Sequence, residues 1–392
     1  MTERLIKPVG RGFLFLDSHP AGCERLVGEL TGQVEARTPD KNPVALVIGS
    51  SSGYGLAATI AGLARYGIDG VGISFEKAPT VRRTATAGWY RTAATAAYAE
   101  RAGRSFHCVN ADAFADTTKA DVLDLVEREF GGVDYLVYSV AAPRRVDPRT
   151  GTTYQSALKA IGEPARTKSL GYDDGRPVLQ EVGIEVATDE EIAETVQVMG
   201  GEDWERWIDA LTDRKLVNDG FATVALTYIG SELTGPIYRQ GSIGAAKAHL
   251  EQTARDLTAR GVRAYTSVNG AAVTQASSAI PGIGLYVSLL HKVLGEAMQT
   301  PIQQSVALWD QLTGERPLDL DDEGRVRLDR WELSDDVQQA VREQWNAVTQ
   351  DNLAAVADTE WFHSEVRRLY GFDVAGVDYD QPTEVDVAWP KS

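Results

Sequence analysis

The sequence predicts an α/β fold, a doubly wound parallel sheet with helices on both faces, and three observations carry that prediction. Short runs of almost unbroken apolar residues, such as "VALVIGS" at 44–50 and "VDYLVYSVAAP" at 133–143, suit strands buried on both faces. Stretches with apolar residues at helical spacing lie between such runs, for example "LAATIAGLARYG", which ends at Gly67. A glycine-rich turn, "GSSSGYG", joins the first apolar run to that helical stretch. Strands that alternate with helices in this way are the pattern of a parallel sheet built by crossover connections.

Ahead of the sheet, "GRGFLFLDSHPAGCERLVGEL" reads as a short strand, a turn at His19-Pro20 and a helix, an extension over 1–42. A dinucleotide-binding half follows over 43–142, with further strands at "GVGISFE", "SFHCVNADA" and "VDYLVYSVAAP" and a helix at "KADVLDLVEREFGG". From Pro143 to about Gly220 the rhythm breaks into loops and one helical stretch from about Asp189 to Leu211, an insertion over 143–220. "FATVALTYIG" restores it, and a helix around "SIGAAKAHLEQTARDLTAR" leads to a strand at "RAYTSVNGAAVT". Residues 221–302 are the expected catalytic half and lid, and 303–392 an acidic helical region with one strand-like piece at "RVRLDRWEL". All are read as parts of one large domain, with no internal repeat.

Composition narrows the function. A formal charge of −17 over 392 residues argues against nucleic acid, whose phosphates need a basic surface. No apolar run is long enough to span a membrane, and the N-terminus has no apolar signal core. Two cysteines, Cys23 and Cys108, and five histidines give neither a disulfide framework nor metal-ligand spacing. The expectation is a cytoplasmic protein without a metal.

The glycine turn is the strongest chemical signal. Gly49, Gly53 and Gly55, interleaved with Ser50, Ser51, Ser52 and Tyr54, stand directly after a buried strand and before a helix. A turn of this kind brings backbone close to a pyrophosphate and aims helix-start N–H groups at its charge. Phe75 and Glu76 close the second strand about twenty residues later, where an acid binds the adenosine ribose and repels a 2′-phosphate. That favours NADH, although Lys77, Arg82 and Arg83 follow and could receive a phosphate. Asp112 and Ala113 follow the third strand; the carboxylate suits either an adenine contact or a turn. Val140 and Ala141 close the fourth strand with side chains small enough for a cofactor ribose or for plain packing.

Catalytic candidates lie in "TYIGSELTGPIYRQGSIGAAK". Tyr238 and Lys247 are nine positions apart, about two and a half turns on one helix, so they would face opposite ways. Cooperation requires a break, and Gly235, Pro236 and Gly241 supply the residues for one. The helix bearing Lys247 should start near Gly241 or Ser242, with Ser242 as its cap. Tyr228 ends the preceding strand, where ligands sit in such sheets. Two tyrosine hydroxyls could hold a carbonyl oxygen and deliver a proton, although buried tyrosines are also common packing residues.

The chain resembles the trans-2-enoyl-CoA reductase family, including FabV-type NADH-dependent enoyl-acyl-carrier-protein reductases. The matching pieces are "HPAGCE", "VIGSSSGYGLA", "FEKAPT" with "TAGWY", "NADAF", "VYSVAAPRR", "SALKAIGEP", "VMGGEDWERWIDAL", "YIGSELTGPIY" and "VTQASSAIP". The resemblance implies an enlarged short-chain-dehydrogenase type of Rossmann fold acting as a monomer on a CoA or carrier-protein thioester. It implies Tyr238 as proton donor, Tyr228 as substrate contact and Lys247 as cofactor lysine. It also implies NADH contacts at Gly49–Gly55, Phe75, Glu76, Asp112, Ala113, Val140, Ala141, Val273, Thr274 and Gln275. The family names its C-terminal region after FAD, but no flavin signature stands there and NADH is the expected cofactor. Tyr228, Gly235, Arg239, Ile280, Gly282 and Gly284 are the expected substrate side. Gly235 and Arg239 replace a usual Trp, Gly270 a usual Lys, and Gly282 and Gly284 bulkier residues. These departures imply a wider acyl pocket and a branched, cyclic or polyene acyl group. The residues also leave open a carbonyl reductase of the short-chain type or a silent NAD-binding protein.

Overall fold

The computed structural model describes residues 3–38, 41–173, 175–275 and 280–390. Among the described residues the central sheet has seven parallel strands: β1 Val44–Ile48, β2 Asp69–Ser74, β3 Phe106–Asn110, β4 Val133–Tyr138, β5 Val217–Thr227, β6 Arg263–Val268 and β7 Val326–Arg327. Their spatial order is β7-β6-β5-β4-β1-β2-β3, so the chain reverses direction between β1 and β4. Crevices at that switch point are where ligands bind in doubly wound sheets.

Both faces of the sheet are covered by helices packed on apolar strand residues. All of β1 is buried. One face packs α4 Asp116–Glu129, α6 Glu202–Asp213 and α8 Ser242–Ala259 through Val122, Leu125, Trp204, Trp207, Leu250 and Leu257. The other packs α2 Gly53–Ala61 and α10 Pro301–Leu312 through Leu56, Ile60, Trp309 and Leu312. Helix α6 shows why: Trp204, Trp207, Ile208 and Leu211 form one stripe at helical spacing and all are fully buried. Helices α1 Pro20–Gly32 and α3 Ala87–Arg101 flank the cofactor half.

A third apolar cluster lies beyond the sheet's C-terminal edge. It joins α9 Ile283–Leu294, α11 Asp335–Ala347, α12 Leu353–Val356 and α13 Thr359–Arg368 to the catalytic segment through Tyr238, Leu285, Leu289, Val341 and Phe362. The hairpin Ala165–Asp173 with Arg176–Ile184 rises from the insertion and leans on α9. Helices α11 to α13 of the C-terminal region therefore close over the catalytic half.

Two boundaries differ from expectation. The helical stretch 189–211 is two helices, α5 Asp189–Met199 and α6, broken at Gly200-Gly201. A Cβ on Gly201 would stand 2.2 Å from Thr253 Oγ1, so α8 presses against the junction. Strand β5 begins at Val217, four residues early, with a register shift between Val217 and Ala222. In "VTQASSAIP" residues 276–279 lie outside the described residues.

Candidate functional site

The predicted cofactor positions from Gly49 to Ala141 fall at the C-terminal edge of β1 to β4 or in the turn that follows, whereas Lys247 lies on α8 and Val273, Thr274 and Gln275 follow β6. Gly49 leaves β1 at φ +92°, and a Cβ there would stand 2.0 Å from the Ser139 carbonyl oxygen. A Cβ on Gly55 would be equally close to the Gly49 carbonyl oxygen. These contacts, more than flexibility, require glycine. Ser52 is the N-cap of α2 but its side chain makes no cap bond, which leaves first-turn N–H groups for an anion. The cradle fits a dinucleotide pyrophosphate.

Glu76 is held rather than solvated. Ser51 Oγ donates to its Oε1 at 2.6 Å and Thr86 Oγ1 donates to its Oε2. Gly88 makes room for it, since a Cβ there would touch Oε1. Asn110, which sequence reasoning missed, fixes its backbone through two hydrogen bonds of 2.7 and 3.0 Å. Phe75 beside it is 77% exposed, an apolar ring at the mouth of the nucleotide crevice. Lys77 and Arg83 line a neighbouring cavity of about 340 Å³ that also reaches Gln275. Asp112 forms a turn: its Oδ1 accepts the Phe114 N–H at 3.0 Å. Ala113 offers its carbonyl to buried Lys119 at 2.8 Å. Val140 is half-buried and Ala141 exposed at the end of β4. Of the following arginines, Arg145 is buried against Glu202 and the Phe114 ring, a packing role, and Arg144 is exposed.

The tyrosine and lysine come together through a broken helix. Tyr238 ends the four-residue helix α7 Gly235–Tyr238, and α8 begins at Ser242. The cap is Gly241, not Ser242. Ser242 Oγ is engaged instead by the insertion, donating to the Ala157 carbonyl and accepting the Lys159 N–H. With the break in place, Lys247 Nζ stands 5.8 Å from the Tyr238 ring centre and donates to Thr227 Oγ1 at 2.9 Å. The Tyr228 and Tyr238 rings meet edge to face at 4.9 Å.

Electrostatics follow from burial. Burial, and then the Glu332 charge, push the Tyr238 hydroxyl well above the ordinary tyrosine range, so it is a neutral donor at neutral pH. Desolvation lowers the Lys247 ammonium to about 8 against the pull of Glu251. Glu332 is the unforeseen member. It is fully buried and accepts the Tyr228 hydroxyl at 3.0 Å, the Tyr286 hydroxyl at 2.8 Å and the Ala271 N–H. Tyr54, placed with the cofactor turn, donates to the Gly270 carbonyl at 2.6 Å and so ties that turn to the loop after β6, which carries Val273, Thr274 and Gln275.

The substrate-side residues divide. Tyr228 and Ile280 pack on the apolar cluster that contains Tyr238. Gly282 lines a cavity of about 190 Å³ with Thr167, Thr234 and Ile237. Gly235 is buried with nothing within 4 Å of where a Cβ would stand. Arg239 pairs at 2.9 Å with Glu251, one turn past Lys247 on α8. The expected widening fails at two positions. The Trp331 ring occupies the space at Gly270, 2.4 Å from an added Cβ, and Phe362 approaches Gly284 at 3.2 Å. Both rings come from the C-terminal region.

Among the described residues no group of His, Cys, Asp and Glu could hold a metal, and no helix is long and apolar enough to cross a membrane. Three histidines have packing or hydrogen-bond partners: His249 accepts the Gly201 N–H, His291 stacks on Trp361, and His363 stacks on Tyr172.

Comparison with known proteins agrees over the whole chain. Residues 5–81 match the family model for the NAD(P)H binding domain of trans-2-enoyl-CoA reductase, and 83–313 the one for its catalytic region. Residues 320–383 match a model described as the enoyl reductase FAD binding domain. That segment does not fit a flavin: it has no strand, glycine turn and helix in succession among the described residues, and it turns Trp331 and Glu332 into the tyrosine site. An enoyl-[acyl-carrier-protein] reductase [NADH] of Streptomyces avermitilis is 61% identical, covering 99% of this chain and 100% of its own length. Another of Pseudoalteromonas atlantica is 42% identical, covering 98% and 100%. Among solved structures, the Clostridium acetobutulicum trans-2-enoyl-CoA reductase in complex with NADH is 35% identical with a TM-score of 0.92, covering 98% of each chain. The Treponema denticola trans-2-enoyl-CoA reductase in complex with NAD is 38% identical at a TM-score of 0.91, covering 99% and 100%. Glycine cradle, broken-helix tyrosine and C-terminal cover thus occur in one matched sequence, and the chain belongs to the trans-2-enoyl-CoA reductase family.

Proposed function

We propose that this chain reduces the 2,3 double bond of an enoyl thioester with NADH. The observation that carries the reading is the meeting of Tyr228, Tyr238 and Lys247 across a helix break, beside a glycine cradle at the sheet's switch point. When bound, NADH supplies the hydride that adds to the β-carbon. The protein's part is to hold the carbonyl oxygen as negative charge develops on it, which Tyr228 and Tyr238 do by donating hydrogen bonds in a water-poor site. Tyr238 supplies the proton that ends on the α-carbon. Lys247 binds the cofactor ribose, and its positive charge favours Tyr238 as an acid. Gly49–Gly55 hold the pyrophosphate, and the fixed Glu76 carboxylate takes the ribose hydroxyls and repels a 2′-phosphate, which favours NADH over NADPH. Val140, Ala141 and Val273–Gln275 would hold the nicotinamide end of the cofactor when it is bound.

Both CoA and carrier-protein thioesters fit this chemistry. The open space at Gly235 supports room for an acyl substituent beside Tyr238. The unpaired, buried Cys23 and Cys108 support a reduced cytoplasmic setting, and the family resemblance supports a monomer.

The test is loss of NADH absorbance with enoyl-CoA, enoyl-carrier-protein and ketone panels, repeated with Tyr238→Phe. Oxidation with enoyl thioesters that Tyr238→Phe abolishes supports the reading. Oxidation with ketones alone makes the chain a carbonyl reductase. NADH binding without turnover on any acceptor makes it a binding protein.

A further inference from the structure

Glu332 has no place in the reaction as described, yet it touches Tyr228, one of the residues that perform it. It follows β7, in the region matched to the flavin-named model, and it is fully shielded from solvent. Among the described residues no cation pairs with it. Its Oε2 accepts the Ala271 N–H, and its Oε1 faces two hydroxyls, Tyr228 at 3.0 Å and Tyr286 at 2.8 Å.

The hydrogen-bond count makes the protonation state decisive. If Glu332 is ionised, both tyrosines donate to Oε1. The Tyr228 proton then points away from the substrate, and its oxygen offers only lone pairs to a developing enolate. If Glu332 is a carboxylic acid, its proton lies on Oε1, because Oε2 already accepts a backbone N–H. Tyr286 is the poorer acceptor, since its oxygen already receives Gln338 Nε2 at 3.0 Å. The acid proton therefore goes to Tyr228, whose own proton is released toward the site, while Tyr286 continues to donate to Oε1.

We propose that Glu332 is a positioning residue of the reduction: as the neutral acid it donates to Tyr228 and turns the Tyr228 hydroxyl proton toward the substrate carbonyl. This rests on the enoyl-reductase reading above. The surroundings suit a neutral acid. Tyr228, Tyr286, Tyr54 and Tyr238 surround the carboxyl as uncharged hydroxyls, and the like-signed Asp329, itself paired with Arg327, adds to the upward push. Burial, partly opposed by the Ala271 N–H and the two tyrosines, moves the Glu332 carboxyl up to about 7.

The experiment is the pH dependence of kcat and KM for an enoyl-CoA in wild type, Glu332→Gln and Glu332→Ala. Glutamine reproduces the acid's bonds to Ala271 and Tyr228: its carbonyl accepts the Ala271 N–H and its amide donates to Tyr228, while its second N–H faces Tyr286, which must then accept. Wild type should lose kcat with an apparent pKa near 7, falling about tenfold per pH unit beyond it. Glu332→Gln should keep kcat within about threefold of wild type at pH 6 and lose that limb, retaining only the one near 8 from Lys247. Glu332→Ala should lose kcat by about 100-fold at every pH with KM little changed, because Tyr228 is unsupported. The proposal is overturned if Glu332→Gln keeps the limb near 7, or falls as far as Glu332→Ala at pH 6. Infrared difference spectra give a readout independent of turnover. Wild type should show a protonated carboxyl band at pH 6 that disappears by pH 8.5 and is missing from Glu332→Gln; its absence in wild type also overturns the proposal. A wild type that reduces no enoyl thioester sinks the enoyl-reductase reading instead, and the infrared band still decides the state of Glu332.

Discussion

The cofactor turn and the tyrosine cluster are built in opposite ways. Gly49, Gly53 and Gly55 work through what they lack: a Cβ on Gly49 or Gly55 would strike backbone 2.0 Å away, so the cradle is a few consecutive residues pressed against β4. The tyrosine cluster works through what distant segments bring. Tyr54, Tyr228, Tyr238, Tyr286 and Glu332 arrive from α2, the end of β5, α7, α9 and the turn after β7. A local site tolerates no change in its backbone, whereas an assembled site can lose one member and keep its frame. Damage to the two should therefore register in different kinetic constants.

The largest effect is expected from Tyr238→Phe. It should lower kcat by about 100- to 10,000-fold while the Kd for NADH, measured by fluorescence titration, stays near wild type. A parallel loss of NADH affinity would mean that the two regions are not separable. Next in size is the pH dependence of stability at Glu332. Its folded value of about 7 lies above the ordinary 4.5, so between those values the folded state holds more protons than the unfolded. The stabilisation is full below pH 4.5 and is lost as pH rises through 7. Relative to Glu332→Gln, wild type should lose about 3 kcal/mol between pH 5 and 8, read from urea denaturation midpoints. A constant difference across that range would contradict the burial argument.

Gly49→Ala should act on the other region. The φ of +92° and the Ser139 carbonyl together cost about 1–3 kcal/mol. NADH affinity should fall about 10- to 100-fold, with kcat at saturating NADH much less affected. The smallest effect is expected at Gly235, where the structure leaves space. Gly235→Trp should fold with wild-type Tm and lower kcat/KM for branched enoyl thioesters by about tenfold relative to crotonyl-CoA. Equal loss for both substrates would show that Gly235 does not border the acyl group.

What could be read from sequence follows the same division. The cradle was legible because strand, glycines and helix are adjacent, and steric rules act on neighbours. The break between Tyr238 and Lys247 was legible for the same reason, since Pro236 and Gly241 stand beside the residues they separate. Glu332 was not: it is 104 residues from Tyr228 and 46 from Tyr286, and nothing in "RWEL" marks a buried carboxyl. Ser242 misled because its hydroxyl suits a cap, but the insertion supplies Ala157 and Lys159 as better partners. Gly270 and Gly284 misled because the rings that fill their space, Trp331 and Phe362, lie far along the chain.

Isotope transfer tests the central claim most directly. The enzyme is given crotonyl-CoA and NADH deuterated on each face of the nicotinamide in turn, and the product is read by mass spectrometry and NMR. One of the two labels should move to the β-carbon of butyryl-CoA, with the α-carbon hydrogen taken from solvent. Deuterium on a carbinol carbon of a ketone substrate, with none transferred to any enoyl thioester, would contradict the account.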